Sequence, residues 1–289
     1  MASESELLSA LSAIFGATPH ERVEIGIGDD GAVVTFPKSR GVNRAVLAAD
    51  MAVEGVHFNR EWSSLFDIGA KVTAANLADI FAMGGLPDFI LVSAAVSKNF
   101  TVEQASELAR GIVDEASKVG AVVVGGDLTR SETLAISLAL FGSIKDPITR
   151  SGAKPGEYVI ISDLPGKSAA GLELLRAGVH DERSAHHRRP IVDYKAAQDF
   201  ALAGVSAMAD VSDGLISELT HIAQASGVGI EIISEPGLDL HGGEDHIFVA
   251  TISPQLPFPR QAITIGKVVL GKGVRVDGQP ATHQGFEHF

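Results

Sequence analysis

The sequence contains no cysteine, one tryptophan and two tyrosines among its 289 residues. Without cysteine the chain forms no disulfide, offers no thiolate nucleophile and holds no Cys-ligated zinc ion or iron–sulfur cluster. Positive charge is also scarce, since 23 Lys and Arg face 36 Asp and Glu, which gives a net charge of −13. Nucleic acids and anionic membranes are bound mainly through clusters of Lys and Arg. We therefore expect neither nucleic acid nor membrane as a partner.

Long apolar runs are missing as well. The run from Leu134 to Phe141 is too short to span a bilayer, and the first residues lack the basic start and apolar core of a signal peptide. A cytoplasmic location is therefore expected. What the chain does have is 45% hydrophobic residues and 31 glycines, which indicate a globular protein with an ample core and many turns.

A glycine-rich turn at 26–31 carries two adjacent carboxylates, Asp29 and Asp30, between two short β-type runs. Its glycines match the G-x-G-x-x-G spacing of dinucleotide-binding loops, which receive a pyrophosphate at a helix N-terminus. Two aspartates would repel a pyrophosphate, however, and the following residues predict a strand rather than a helix. The carboxylates suit Mg²⁺, which prefers oxygen ligands. An acidic hairpin turn without a ligand is the alternative interpretation.

Two other segments match parts of a phosphate-binding P-loop without completing it. Gly166-Lys167-Ser168 precedes a predicted helix, but Ile161 stands where the motif needs its first glycine. The segment 266–272 has the right spacing, yet Gly273 replaces the Ser or Thr that would hold the metal. Phosphate chemistry in this chain must therefore use another design.

Acidic side chains recur along the chain, most of them just after a predicted strand or before a predicted helix. The six candidates for metal binding are Asp30, Asp50, Asp79, Asp127, Asp210 and Asp213. In one cleft, like charges 4 Å apart would repel each other by about 4 kcal/mol at an effective dielectric of 20. Two or more Mg²⁺ ions that carry a polyphosphate would offset this repulsion.

Two of these aspartates are expected at the ends of strands. The runs at 43–49 and 121–124 predict strands that would present Asp50 and Asp127 at their carboxyl ends, where α/β proteins tend to bind ligands. A helix predicted at 65–83 carries Thr73, Asn76 and Asp79 at i+3 spacing, so that their side chains share one face. This face has neither Lys nor Glu, which argues against a solvated face.

Two further polar segments have simpler interpretations. The basic stretch 186–189 is expected to be a solvated loop, with anion binding as the alternative. Ser212 or Asp213 could serve as the N-cap of a helix that starts near Leu215, as readily as it could bind a ligand.

Ten segments, in this order along the chain, resemble the thiamine-monophosphate kinases, which belong to the superfamily of aminoimidazole ribonucleotide synthetase. Among them are GIGDD at 26–30, NLADIFAMGG at 76–85, VGGDLTR at 124–130, DVSDGLISEL at 210–219, GGED at 242–245 and GFEHF at 285–289. Each segment alone has little specificity, so the resemblance depends on their number and order. The sequence departs from the family at His246, where Tyr is frequent, and at 235–241, which is shorter than in relatives.

The resemblance implies an α/β (α+β) fold of two domains. Residues 1–148 would form an N-terminal domain for ATP and Mg²⁺ binding and for dimerisation, and 149–289 a C-terminal α/β domain. The N-terminal sheets of two subunits would combine into a barrel-like homodimer interface. The C-terminal domain would contain a mixed sheet flanked by helices.

The resemblance also implies roles for individual residues. The six aspartates would hold several Mg²⁺ ions. The ATP contacts would be Gly126, Asp127, Arg150 and Ser212. The contacts with thiamine monophosphate would be His57, Glu244 and Phe286.

The implied reaction is an in-line transfer of the γ-phosphoryl group of ATP to the phosphate of thiamine monophosphate. A phosphate monoester with a second pKa near 6 is largely a dianion at neutral pH, so no general base is expected. Repulsion between two polyanions is the main obstacle, and Mg²⁺ together with an arginine offsets it. Two alternatives stay open. One is another ATP-dependent enzyme of the superfamily, similar to aminoimidazole ribonucleotide synthetase, and the other is a nucleotide- or metal-binding protein without catalysis.

Overall fold

The structure, a computed structural model, describes residues 23–25, 29–35 and 44–282. Two sheets and six helices are formed by these residues. The helix predicted at 5–15 and the candidate Phe286 lie outside the described residues. None of the helices that the structure describes combines the length and the apolar character needed to cross a membrane.

The first sheet has six strands in the order β1-β2-β3-β6-β4-β5. Neighbouring strands are antiparallel, except that β4 and β5 run parallel. The strands are Val23–Ile25 (β1), Ala32–Thr35 (β2), Arg44–Val53 (β3), Leu86–Val96 (β4), Val122–Arg130 (β5) and Ala135–Ser143 (β6).

The second sheet has seven strands in the order β13-β12-β9-β11-β7-β10-β8. It is mixed, because β12 and β9 run parallel while the other neighbours are antiparallel. The strands are Tyr158–Ile161 (β7), Ala207–Asp210 (β8), Gly229–Ile232 (β9), Phe248–Ile252 (β10), Ile263–Val269 (β11), Gly273–Val276 (β12) and Gln279–Pro280 (β13). A mixed second sheet accompanied by helices is the expected α/β arrangement.

The helices in the described part of the chain are Leu65–Ala82 (α1), Val102–Ser117 (α2), Lys167–Arg176 (α3), Glu182–Arg188 (α4), Tyr194–Ala203 (α5) and Leu215–Ser226 (α6). Helices α1 and α2 pack on one face of the first sheet, while α6 packs on strands of the second.

The strands β3 and β5 are longer than the sequence predicts. Strand β3 pairs with β6 from Ala45 to Val53, and β5 pairs with β4 up to Arg130. Asp50 and Asp127 therefore lie inside their strands, so the expectation that each marks a strand end is wrong. The reason is the register of the partner strands, which continues the backbone hydrogen bonds past residues of low β propensity. Asp210, in contrast, is the last residue of its strand, β8.

Helix α1 is the element that joins the two halves of the chain. It begins after Ser64, whose side chain accepts a hydrogen bond from the backbone N–H of Asp67. Most of its residues are buried, as is usual for a helix with apolar or small side chains on all sides. It contacts β3 and β6 of the first sheet and β8 of the second. The largest core cluster accordingly contains side chains from both sheets, and the division into domains at residue 148 stays a prediction.

Apolar side chains are exposed on the face of the first sheet that is turned away from α1. Phe89 on β4 is 51% exposed and shares this face with Val122 and Phe141, its partners in the register. Met51 on β3 lies on the same face and is also exposed. Leu128, in contrast, pairs through Ala94 with the buried Ile136 and belongs to the opposite face. An exposed apolar surface is typical of a protein–protein interface.

The packing of α1 against α2 depends on two glycines. A Cβ atom added to Gly111 would lie 2.0 Å from the carbonyl oxygen of Phe66, and one added to Gly69 would lie 2.3 Å from that of Leu108. The helix backbones are therefore in direct contact. This contact fixes the position of α1, which carries Asn76 and Asp79.

We predict that Gly111→Ala lowers the free energy of unfolding by about 1–3 kcal/mol, because the added methyl group must push the two helices apart. Helix propensity alone would favour alanine by about 1 kcal/mol. Urea unfolding measures the difference. Arg110→Ala, at an exposed neighbouring position, is the control and should change stability by less than about 0.5 kcal/mol. An unchanged or more stable Gly111→Ala variant would contradict the close contact.

Candidate active site

Three of the predicted metal ligands meet where α1, the 29–31 turn and the end of β8 come together. Carboxylate oxygens of Asp30, Asp79 and Asp210 all lie within 4.8 Å of one another. They come from positions that are 49 and 131 residues apart in the sequence, so only tertiary folding unites them. We call these three side chains the acidic cluster.

Asp50 extends the acidic cluster from β3. Its backbone N–H donates a hydrogen bond of 3.0 Å to the side-chain oxygen of Asn76, which ties β3 to α1. Burial and the charge of Asp210 raise the pKa of Asp50. The charge of Asp50 in turn helps to raise the pKa of Asp79, so Asp50 belongs to the same electrostatic group as the acidic cluster.

Burial and mutual repulsion dominate the electrostatics of the acidic cluster. Burial, aided by the charges of Asp50, Asp210 and Asp30, holds the pKa of Asp79 well above its usual value. Burial likewise raises the pKa of Asp30 well above its usual value, although Arg150 opposes the shift. A site that disfavours its own ionised carboxylates gains free energy when a cation binds.

A magnesium ion fits this donor set. The Oδ2 atom of Asp30 is buried and has no hydrogen-bond partner among the described residues. Buried polar atoms without partners are rare, and an unplaced ion is one common reason for them. Carboxylate oxygens are also the ligands that hard divalent cations prefer. Asp30, Asp79 and Asp210, with Asp50 beside them, are therefore suited to hold Mg²⁺.

Arg150 lies against the acidic cluster and is fixed by a residue that the sequence reading missed. Its guanidinium group donates to Asp30 Oδ1 at 3.0 Å and to Glu218 Oε2 at 3.2 Å. Its backbone N–H donates to Asp29 Oδ1 at 2.6 Å. Glu218 is buried in the first turn of α6, and its position after the DVSDG segment was the available signal. These contacts place a fixed positive charge beside the carboxylates.

Gly126 and Asp127 lie apart from the acidic cluster. Both belong to the exposed edge strand β5, and neither lines the cleft described below. Asp127 lies three strands away from β3. The strands are linked in register, because Met51 pairs with Ser137, Ser137 with Ser93 and Ser93 with Asp127. This separation is roughly 14 Å along the sheet at ~4.8 Å per strand. Within one chain, Asp127 and the acidic cluster therefore cannot share one ion.

A cleft of about 1150 Å³ opens beside the acidic cluster. Asp50, Asp79 and Asp210 line it together with Ser212 and Asp213. Helix α6 has Gly214 at its N-cap and no side-chain cap, so the interpretation of Ser212 or Asp213 as that cap is wrong. The residue directly before the first turn is Gly214, whose φ of 105° is a conformation that favours glycine.

His57 and Asn76 also line the cleft. The Nδ1 atom of His57 accepts a hydrogen bond of 3.0 Å from the backbone N–H of Val53, which fixes the ring and leaves the proton on Nε2. Thr73, predicted to share the polar face of α1, instead donates to the carbonyl oxygen of Gly69 and is buried outside the cleft. The prediction that polar side chains of α1 share one face is therefore correct for Asn76 and Asp79 and wrong for Thr73.

The loop 242–246 brings Glu244 to the wall of the cleft. Glu244 and His246 have positive φ angles of 60° and 51°, which non-glycine residues rarely adopt. Backbone bonds from Glu244 N–H to Ser212 and from His246 N–H to Val211 hold the loop. The strained backbone is kept because these bonds fix it on both sides.

The side chains that flank Glu244 anchor the same loop. Asp245 accepts hydrogen bonds from the backbone N–H groups of Gly166 and Ser168 at the start of α3. The N-terminus of α3, which the incomplete P-loop segment precedes, therefore already binds the carboxylate of Asp245. On the other side, the Nδ1 atom of His246 lies 3.0 Å from Asp210 Oδ2 and links the loop to the acidic cluster.

The basic stretch 186–189 is not the solvated loop that the sequence predicted. Its first residues belong to α4, and the ring of His187 is buried against Ser168, with 3.0 Å between Nδ1 and Oγ. Arg189 places its guanidinium 5.0 Å from the ring centre of Phe66. Burial, together with Lys71, lowers the pKa of His187 to about 4, so the ring is neutral at pH 7. A neutral histidine can be buried where a charged one could not, which explains the error.

The chain matches the models of two protein domains. The N-terminal domain of AIR synthase related proteins matches residues 28–144, and the C-terminal domain matches residues 154–252.

Several thiamine-monophosphate kinases are similar to this chain. The thiamine-monophosphate kinase of Mycobacterium tuberculosis strain H37Rv is 37% identical, over 92% of this chain and 86% of the relative. That of Bacillus subtilis is 35% identical, over 81% of this chain and 79% of the relative. The solved structure of AaThiL complexed with AMPPCP and TMP superposes with a TM-score of 0.89, at 29% identity, over 99% of this chain and 97% of that one.

We predict that Asp79→Asn makes the metal-free protein more stable, because it removes one of the repelling charges. The Tm should rise by about 2–4 °C for each kcal/mol of repulsion relieved. Mg²⁺ should raise the Tm of the wild type and leave that of the variant nearly unchanged. Thermal unfolding with chelator and with excess Mg²⁺ measures both effects, and a variant less stable than the metal-free wild type would contradict the repulsion.

The same repulsion predicts a dependence on pH. The pKa of Asp79 in the folded protein lies above its unfolded value, since burial and nearby carboxylates disfavour its ionisation. Ionisation of Asp79 costs no folding stability at a pH below its unfolded-state pKa near 3.9. The cost grows as the pH rises from there through the folded-state pKa. The stabilisation by Mg²⁺ should therefore increase with pH. An equal increase in Tm at pH 5 and pH 8 would contradict this expectation.

Proposed function

The chain belongs to the thiamine-monophosphate kinase family of AIR synthase related proteins, and we propose that it phosphorylates thiamine monophosphate with ATP. The product would be thiamine diphosphate. The observation that carries the proposal is the convergence of Asp30, Asp79 and Asp210 beside a cleft large enough for two phosphorylated ligands. The structure of AaThiL with AMPPCP and TMP supports the same assignment.

The reaction transfers one phosphoryl group without a protein-bound intermediate. An oxygen of the acceptor phosphate forms a bond to the γ-phosphorus as the bond between that phosphorus and the β,γ-bridging oxygen breaks, and ADP leaves with the bonding electrons. Bound Mg²⁺ would neutralise charge on the phosphates of both substrates. The acceptor is already ionised at neutral pH, so the chain needs to supply no general base.

The side chains at the acidic end of the cleft would bind metal and ATP. Asp30, Asp50, Asp79 and Asp210 would hold Mg²⁺, with Asp213 as a further ligand. The guanidinium of Arg150 would face the phosphates, since Glu218 and Asp30 already hold it beside the acidic cluster. Ser212 would contact ATP from the cleft wall. A fixed cation at this place lowers the repulsion between two polyanions at no cost of reorganisation.

Asp127 and Gly126 would serve a second part of the ATP site. Because Asp127 lies three strands from β3, it would bind a separate Mg²⁺ ion on another phosphate of the nucleotide. This division agrees with the expectation of several ions.

The other end of the cleft would bind the organic part of the acceptor. His57 and Glu244 both line the cleft and would contact this part, and Phe286 would add an aromatic face. A carboxylate and an aromatic ring are both suited to a cationic heterocycle such as the thiazolium of thiamine.

The exposed apolar face of the first sheet would form the homodimer interface. A second copy of the chain covers the same residues symmetrically, as the two-fold interface of a homodimer requires. Residues 1–148 would supply this interface and most of the metal ligands, while 149–289 would complete the cleft.

The two alternative functions are not favoured. The relatives that are 37% and 35% identical to this chain are thiamine-monophosphate kinases, which argues against a different reaction of the superfamily. Separation of Asp79 from the other aspartates would have favoured a protein without catalysis, and Asp79 lies within the acidic cluster instead.

The proposal is tested by incubating the protein with thiamine monophosphate, ATP and Mg²⁺. Thiamine diphosphate and ADP should appear in equal amounts, and chelation of the metal should stop their formation. Chromatographic separation of the thiamine phosphates measures the product. ADP formation without thiamine diphosphate would contradict the proposed acceptor.

We predict that Asp50→Asn and Asp127→Asn each lower kcat by about 100-fold or more, since each removes a ligand that neutralises phosphate charge. Both variants should remain folded by circular dichroism. Asp146→Asn, at an exposed position outside the cleft, is the control and should keep full activity. Near-normal turnover in both test variants would refute the proposed metal ligands.

We predict that Phe89→Glu converts the dimer to a monomer, because a charge placed in an apolar interface is costly to bury. Analytical ultracentrifugation measures the mass in solution. Leu202→Glu changes an exposed apolar residue on α5, outside the first sheet, and should leave the dimer intact. A wild-type protein that sediments as a monomer would exclude the proposed interface.

A further inference from the structure

A buried lysine faces the substrate end of the cleft. Lys71 on α1 is only 6% exposed, and lysine is almost never fully buried unless its ammonium group is paired. Its Nζ atom donates a hydrogen bond of 3.0 Å to Glu244 Oε2. The pair joins α1 to the loop 242–246 across 173 residues of sequence. None of the proposed roles in metal or ATP binding uses this lysine.

Lys71 is well separated from the acidic cluster on the same helix. It precedes Asp79 by eight residues, which corresponds to about 12 Å along the axis of an α-helix. Its charge therefore acts on Glu244 rather than on the metal ligands. A single helix thus carries a carboxylate for the phosphate end of the cleft and a cation for the other end.

The contacts of Glu244 leave one of its oxygens for a ligand. Lys71 Nζ approaches Oε2, and His187 Nδ1 lies 3.4 Å from the same atom. Within the described part of the chain, Oε1 has no hydrogen bond of its own, and Glu244 lines the cleft. The carboxylate is therefore held from one side and open to the cleft on the other.

Lys71 also decides the charge of Glu244. Burial alone would raise the pKa of Glu244, but the charges of Lys71 and His187 outweigh it and the pKa is lowered. The pKa of His187 itself lies near 4 because of burial and Lys71, so at pH 7 this ring is neutral. The lysine is then the cation that keeps Glu244 ionised.

We propose that Lys71 is a positioning residue for the acceptor substrate, because its ammonium group holds the Glu244 carboxylate at the cleft with one oxygen presented to the organic part of thiamine monophosphate. This inference rests on the proposed function, in which Glu244 contacts that substrate. It assigns Lys71 to acceptor recognition and not to ATP binding or to phosphoryl transfer itself.

Steady-state kinetics of Lys71→Met tests the inference. The KM for thiamine monophosphate should rise about tenfold or more, since a buried carboxylate without its partner becomes protonated or changes position. The KM for ATP should stay within about twofold. Lys71→Arg keeps the positive charge and should recover part of the affinity. Equal increases in both KM values would overturn the assignment, because they indicate a general structural defect.

The double variant Lys71→Met/Glu244→Gln separates a joint role from two independent ones. If Lys71 acts through Glu244, the double variant should bind thiamine monophosphate no more weakly than the worse single variant. Additive losses would show that Lys71 acts by another route and would overturn the proposal.

A control for loss of an ion pair with a buried carboxylate is available at the end of α2. Lys118 Nζ lies 2.6 Å from Oε2 of the buried Glu115, and neither residue lines the cleft. Lys118→Met should lower the Tm and leave both KM values unchanged. If Lys71→Met behaves in the same way, its role is structural and the proposal fails.

Binding can be measured without turnover because Trp62 is the only tryptophan and lines the same cleft. Titration of thiamine monophosphate against its fluorescence should give a weaker Kd for Lys71→Met. If Lys71→Met does not fold, Lys71→Gln, which retains a polar end, replaces it with the same expected result. A wild type that binds no thiamine monophosphate refutes the proposed function, whereas unchanged binding by a folded Lys71 variant refutes this inference alone.

Discussion

Repulsion between buried carboxylates is the main physical constraint on this structure. Asp30, Asp79 and Asp210 are brought within 4.8 Å of one another by elements far apart in the chain. Burial raises the pKa values of Asp30 and Asp79, so it works against the ionised forms of these two side chains. The close packing of α1 against α2 and against both sheets supplies the rigidity that holds them together. The repulsion between the carboxylates lowers the stability of the fold, and a bound cation would relieve it.

The cleft is divided by charge along helix α1. One end carries the acidic cluster with Arg150 beside it, and the other carries Lys71 and Glu244. At each end, a group of one charge is fixed by a buried partner of the opposite charge. This arrangement presents charges that do not need to reorganise when a ligand binds, which is the main electrostatic advantage of a folded site over water.

Much of this could be predicted from the sequence, and the errors have physical causes. Asp79 and Asp210 were recognisable from helical spacing and from a strand end. Asp50 lies inside its strand because pairing with β6 continues beyond the predicted end. Lys71 and His187 were missed because their burial depends on partners about 173 and 57 residues away, which local patterns do not reveal.

The central claim is that the acidic cluster is a cation site that serves phosphate chemistry. Its most direct test is anomalous X-ray diffraction from crystals grown with Mn²⁺, a substitute for Mg²⁺, and a non-hydrolysable ATP analogue. An anomalous peak is expected in contact with the carboxylates of Asp30, Asp79 and Asp210, next to the nucleotide phosphates. Bound nucleotide with no peak at these three carboxylates would contradict it.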